Sequence, residues 1–188
     1  MTTNGPGRLN RRDVITGALV LTAAPSIVRA QASGARRNIS SFRTHEWRDH
    51  FDEMGKGIII CDTTSKMLQH WTPGEGMRVY PTSVPMTDEL TRRGYTSVVE
   101  KRENPGWGPT PSMRERDPSL PVYVEGGDPR NPLGTRALYL SWQYYRIHGT
   151  QDTRKIGRRS SSGCIGLYNP HIEDLYARVP VGTQVKLI

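Results

Sequence analysis

Seven prolines fall between residues 103 and 135, at positions 105, 109, 111, 118, 121, 129 and 132, together with five glycines and Trp107. Proline lacks the amide donor that helices and central strands need. A helix therefore cannot persist through this stretch, and it cannot supply the middle of a sheet. A structureless connection of this length inside a domain is usually a lid or binding loop, the alternative being a passive surface loop. The ordered framework has to come from the flanking segments.

Those flanks read as β. Ile58-Ile59-Ile60-Cys61 is a short apolar run, then Asp62-Thr63-Thr64-Ser65 a turn, then Lys66–Trp71 a second hairpin arm. Met77–Val84 and Tyr95–Lys101 are strand candidates rich in Val, Tyr and Thr. Arg136–His148 is the longest β signal, read as one central strand with Leu138, Leu140, Trp142, Tyr144, Arg146 and His148 on one face. One helix is clear: Asn169 as its cap, Pro170 at its first position, then Ile172, Leu175, Tyr176 and Val179 at helical spacing. Thr183–Ile188 reads as a closing strand. The expected fold is mostly β with one short helix near the C-terminus.

The N-terminus reads as an address. Arg8, Arg11 and Arg12 precede the apolar Val14–Ile27, and Val28-Arg29-Ala30 offers small residues for cleavage after Ala30. Arg11-Arg12 resembles a twin-arginine signal, with an ordinary secretory signal as the alternative. The organisation read from sequence is therefore an export signal at 1–30, a polar lead-in at 31–56 and a single domain at 57–188. Removing the signal takes away four arginines against Asp13 alone, so the net charge of +8 falls to +5. Export makes nucleic acid a poor match for that charge and an anionic envelope polymer a better one. No apolar run reaches the roughly 20 residues of a membrane span. Two cysteines exclude a disulfide scaffold. His45 and His50 have no cysteine nearby, so no metal is expected.

Chemistry concentrates in His148-Gly149-Thr150 and Ser160-Ser161-Ser162-Gly163-Cys164-Ile165, separated by a basic loop. A cysteine after glycine at a turn can expose its sulfur and turn backbone amides toward an oxyanion. A nearby histidine can take the thiol proton. A buried structural cysteine and a packing histidine are the alternative. Cys61, in an apolar strand, reads as a packing residue.

The constellation resembles the signature of the L,D-transpeptidases, the YkuD-like family. Asn131–Leu140, Ile156-Gly157 and Gly182-Thr183-Gln184-Val185 resemble further family segments. The resemblance implies a β-sandwich-like catalytic domain and no cofactor. It implies that Cys164 attacks the third residue of a peptidoglycan stem peptide and forms a thioester. A second stem then resolves it to a 3→3 cross-link. His148 would be the base and acid, oriented by the carbonyl of Gly149. The amides of Ser162, Gly163 and Cys164 would form the oxyanion hole. Ser161, Arg158, Arg159 and Trp107 are the substrate-binding candidates, and carbapenems the implied inhibitors.

Two departures stand out: Ser162 where the family often has His, and Gly166 where an arginine usually follows the cysteine by two. Gly166→Arg is expected to leave the fold intact and change turnover. Three readings remain open at this point. The first is a periplasmic transpeptidase acting on donor and acceptor stem peptides. The second uses the same acyl-enzyme for L,D-carboxypeptidase activity, D-amino-acid exchange or attachment of an envelope protein. The third is a non-catalytic peptidoglycan-binding module.

Overall fold

The structure is a computed structural model that describes residues 1–2 and 43–188. The segment read as an export signal, apart from residues 1–2, and the first part of the lead-in lie outside the described residues, and 43–188 fall within one compact unit. Strand β1 (Ile58–Asp62) is buried on both faces, as its unbroken apolar run requires of a central strand. It pairs antiparallel with β2 (Met67–Thr72), which pairs with β3 (Gly76–Pro81). On its other edge β1 pairs parallel with β10 (Gln184–Leu187), so the chain's end closes the sheet against its beginning.

β5 (Gly94–Glu103) joins two halves. Its first residues pair with β10 and its remainder with β6 (Arg136–Leu140), with a register shift between Val98 and Glu100. β6 pairs with β7 (Arg146–His148), and β7 runs parallel to β9 (Ile165–Gly166). The order in this eight-stranded, curled sheet is β3-β2-β1-β10-β5-β6-β7-β9. A second, two-stranded sheet pairs β4 (Val84–Pro85) with β8 (Arg159–Ser161). The fold is mostly β, as the sequence patterning requires. Helix α2 (Asn169–Arg178) packs Ile172 and Leu175 into the same core as Ile59, Leu138, Ile147 and Val185.

Three local readings are corrected. Residues 136–148 are not one strand but a hairpin. Tyr145 N donates to Trp142 O, and Tyr144 sits at φ 66° in the turn. The turn changes which residues share a face. Tyr139 lies opposite Arg146 and Ala137 opposite His148, while Leu138, opposite Ile147, faces the core. Arg146 and His148 therefore stand with Ala137 and Tyr139, not with Leu138 and Leu140. Asn169 is not a cap: it is the first residue of α2 and its Oδ1 accepts from Thr135 N at 3.2 Å. Finally, a short helix does form inside the proline-rich stretch. α1 (Pro111–Arg116) starts at a proline, where the missing amide has no helical role, with Thr110 Oγ1 accepting from Met113 N.

The end of the lead-in lies along the sheet. His45 Nε2 contacts Asp62 Oδ2 at 3.0 Å, Gln69 Nε2 donates to Arg43 O, and Gln184 Nε2 donates to Glu53 O.

Candidate active site

The parallel register of β7 and β9 assembles the site. Ile147 lies beside Ile165 and His148 beside Gly166, so one step back sets Arg146 beside Cys164. Cys164 is partly exposed, at the end of the turn that leaves β8. Gly163 has φ 134°, a conformation that disfavours a side chain, and thereby lets the chain fold back just before the cysteine. Ser161 Oγ braces this turn, donating to Cys164 O at 2.5 Å and accepting from Gly163 N at 3.4 Å. The thiol donates to Tyr144 O at 3.4 Å, so the β6–β7 turn aims a carbonyl at the sulfur.

His148 is buried, and its Nδ1–H donates to Gly149 O at 2.5 Å. A carbonyl only accepts, so this bond places the proton on Nδ1 and leaves Nε2 as the lone-pair nitrogen of the neutral ring. The pairing explains the glycine after the histidine. A Cβ at Gly149 would overlap Asn169 Oδ1 and come within 3.0 Å of Ile172 Cγ2. Only glycine lets this backbone lie against α2 with its carbonyl turned to the imidazole.

Burial pushes the His148 pKa down to about 4, opposed by the bond to Gly149 and assisted by the positive charges of Arg146 and Lys155. Burial raises the Cys164 thiol, and the positive charge of Arg146 pulls it partly back. The pair therefore rests near neutral pH as thiol and imidazole, suited to proton transfer during attack rather than to a standing thiolate.

Cys164 and His148 open into a cavity of about 650 Å³. One wall comes from the proline-rich stretch: Trp107, Gly108, Thr110, Met113, Leu120, Pro121 and Val124. The other comes from Tyr144, Tyr145, Arg146, Thr150, Lys155 and Ser160–Ser162. Two ties fix the proline-rich wall. Trp107 and Val124 exchange backbone hydrogen bonds at 2.8 Å, and Arg116 Nη2 donates to Ser162 Oγ at 3.2 Å. Asn131, buried at its base, donates to Pro105 O and Glu125 O and accepts from Leu133 N.

The sequence candidates divide. Cys164, His148, Ser161, Ser162 and Trp107 line this cavity, with Gly149 bonded to the His148 ring and Gly163 braced by Ser161 beside it. Arg158 and Arg159 do not line it. Both are exposed, and Arg159 pairs with Asp88 on another face. Arg146 and Ser83, which carry no sequence motif, line it as well, and so does Lys155 of the basic loop. Gly166 faces His148, and the space a side chain would enter there is taken by Ser83 Oγ. Ser83 and Gly166 also exchange backbone hydrogen bonds, at 2.8 and 3.2 Å.

A family model described as the L,D-transpeptidase catalytic domain, YkuD, matches residues 56–187. The chain belongs to this family. A Fuscovulum blasticum protein, named as an L,D-transpeptidase of the ATP synthase subunits region (ORF 5), is 53% identical over 174 residues, covering 92% of this chain and 87% of the relative. The Escherichia coli protein named as the L,D-transpeptidase ErfK/SrfK is 37% identical over 142 residues, covering 73% of this chain and 45% of its own. Among solved structures, an L,D-transpeptidase from Mycobacterium smegmatis superposes with a TM-score of 0.54 at 20% identity, covering 71% of this chain and 58% of that one. One from Enterococcus faecium gives 0.57 at 16% identity, covering 72% and 50%. These superpositions show a shared L,D-transpeptidase fold. The chain spans less than half the length of the E. coli relative, and the shared part is the catalytic domain.

Proposed function

We propose that this L,D-transpeptidase domain works in the periplasm on peptidoglycan stem peptides, through a thioester on Cys164, and forms 3→3 cross-links. The observation that carries this reading is the placement of the Cys164 thiol and a tautomer-fixed His148 at one cavity. His148 Nε2 takes the thiol proton as sulfur attacks the carbonyl of the third stem residue. The amides of Ser162, Gly163 and Cys164 receive the oxyanion. His148 returns the proton to the departing amine of the terminal D-alanine, and the thioester remains. The side-chain amine of a second stem then displaces sulfur, handing its proton to His148. The signal-like residues 1–30 support export, and the mild positive charge of the exported chain suits an anionic wall polymer.

Incubating the exported form with tetrapeptide-stem muropeptides should yield 3→3 dimers by mass spectrometry. Cys164→Ala should lower turnover to background and lose covalent labelling by a carbapenem. Folded protein with a free Cys164 thiol that makes no dimer sinks the cross-linking reading. Tripeptide in place of dimer would assign the acyl-enzyme to hydrolysis instead.

A further inference from the structure

We propose that Arg146 is a specificity residue that reads a carboxylate on the acyl-donor peptide beside the Cys164 thiol. The proposal rests on the transpeptidase reading for its substrate and on independent geometry for its site. Arg146 follows the β6–β7 turn, and strand alternation puts it on the same face as His148 while Ile147 faces the core. Register with β9 places it next to Cys164. Its guanidinium lies over the Tyr139 ring, 4.8 Å from the centroid, which restrains the long side chain on this face of the sheet. It lines the cavity.

Its charge is unanswered. Other arginines of the domain already carry carboxylates: Arg130 holds Asp128, Arg154 holds Asp152 and Arg159 holds Asp88. Among the described residues Arg146 forms no ion pair, and its buried Nε has no hydrogen-bond partner. A guanidinium with no carboxylate partner at a concave site matches a planar carboxylate. The influence of Arg146 on the thiol shows that its field reaches the reacting atom. It thus puts a cation in the neighbourhood where Gly166 leaves none. Two carboxylates of a donor stem have the required chemistry: that of the leaving C-terminal residue and that on the side chain of the diamino acid.

The first test needs no transpeptidase substrate. Cys164 is alkylated with iodoacetate and with iodoacetamide, in a Cys61→Ser background, and the rate ratio is compared between the parent and Arg146→Gln. A change in thiol pKa alters both rates alike, so the ratio isolates the attraction of the anionic reagent. We expect the iodoacetate preference to fall about tenfold, as for loss of a charge-assisted contact, and Arg146→Lys to retain part of it. An unchanged ratio in a folded Arg146→Gln protein overturns the proposal, whether or not the transpeptidase reading holds. The second test compares tetrapeptide donors amidated at the C-terminus or at the diamino-acid side chain. The carboxylate that Arg146 reads is the one whose amidation raises KM in the parent and makes Arg146→Gln no worse than the parent. If neither amidation does so while the acid donor turns over, the substrate assignment is overturned and the transpeptidase reading stands.

Discussion

At the scale of single residues, the site is set as much by missing side chains as by present ones. Gly149 lets a carbonyl meet His148, and Gly163 admits the turn before Cys164. Gly166 is the informative departure. Its neighbour Ser83 fills the space where a side chain would start, so the simple expectation that Gly166→Arg leaves the fold intact meets a packing obstacle. Ser83 is buried, and its hydroxyl has to rotate or shift for any Cβ at 166. Gly166→Arg should cost about 1–3 kcal/mol, the usual range for overpacking. Adding Ser83→Gly should recover much of it. Urea midpoints of the single and double variants check this, and a single variant as stable as the parent would show that Ser83 yields freely.

At the scale of elements, the proline-rich stretch does what its composition demands. It forms irregular chain with one six-residue helix and becomes a wall of the cavity. Its shape depends on Asn131, whose amide satisfies two carbonyls and one amide at the base of the loop. Asn131→Ala leaves these groups unpaired, a cost of about 1–3 kcal/mol for a buried unsatisfied group. The loosened wall should raise KM more than it lowers kcat, and limited proteolysis should cut first within 103–135. Equal KM and unchanged protease resistance would show that the wall holds without Asn131. The β6–β7 turn was illegible for a physical reason. Ser141-Trp142-Gln143-Tyr144-Tyr145 has no Gly, Pro, Asn or Asp to mark a reversal, and its aromatics carry high strand preference. The turn exists because Trp142 and Tyr145 stack edge to face, 5.5 Å apart, and Tyr145 OH reaches Leu90 O. Those contacts come from packing, which local sequence does not encode.

Over the whole molecule, two buried histidines tie stability to pH. His148 and His70 are both driven down to about 4, mainly by burial. His70 has neither ring nitrogen hydrogen-bonded and faces the charges of Arg178 and Arg78, only partly offset by Asp174 and Glu75. In the unfolded chain both return to 6.5. Between pH 6.5 and 4 the unfolded state therefore binds the extra protons, and stability falls with pH. Each histidine contributes about 1.4 kcal/mol per pH unit across that window. Carboxylates held below their usual range, such as Asp62 and Asp174, add their loss only as pH drops below about 4. Denaturant titrations at pH 7, 6 and 5 should show the slope, and His70→Leu should reduce it whatever its effect on absolute stability. A flat profile would show that His70 and His148 bind protons equally in both states.

The sequence alone determined the mostly β class, because apolar runs, turn residues and proline exclusion act locally. It also determined the family, because His148-Gly149-Thr150 and Ser161-Ser162-Gly163-Cys164 are contiguous strings. Only the tertiary structure decided which cations face the thiol. Strand side chains alternate, so an unmarked turn changes which residues share a face and brings Tyr139 rather than Leu138 alongside Arg146. The basic loop between His148 and Cys164 turned Lys155 inward and left Arg158 and Arg159 outside, because long-range pairing of β8 with β4 sets the orientation of that segment. Charge in a sequence is a count, whereas charge at a site depends on register, and register is fixed by contacts between segments far apart in the chain.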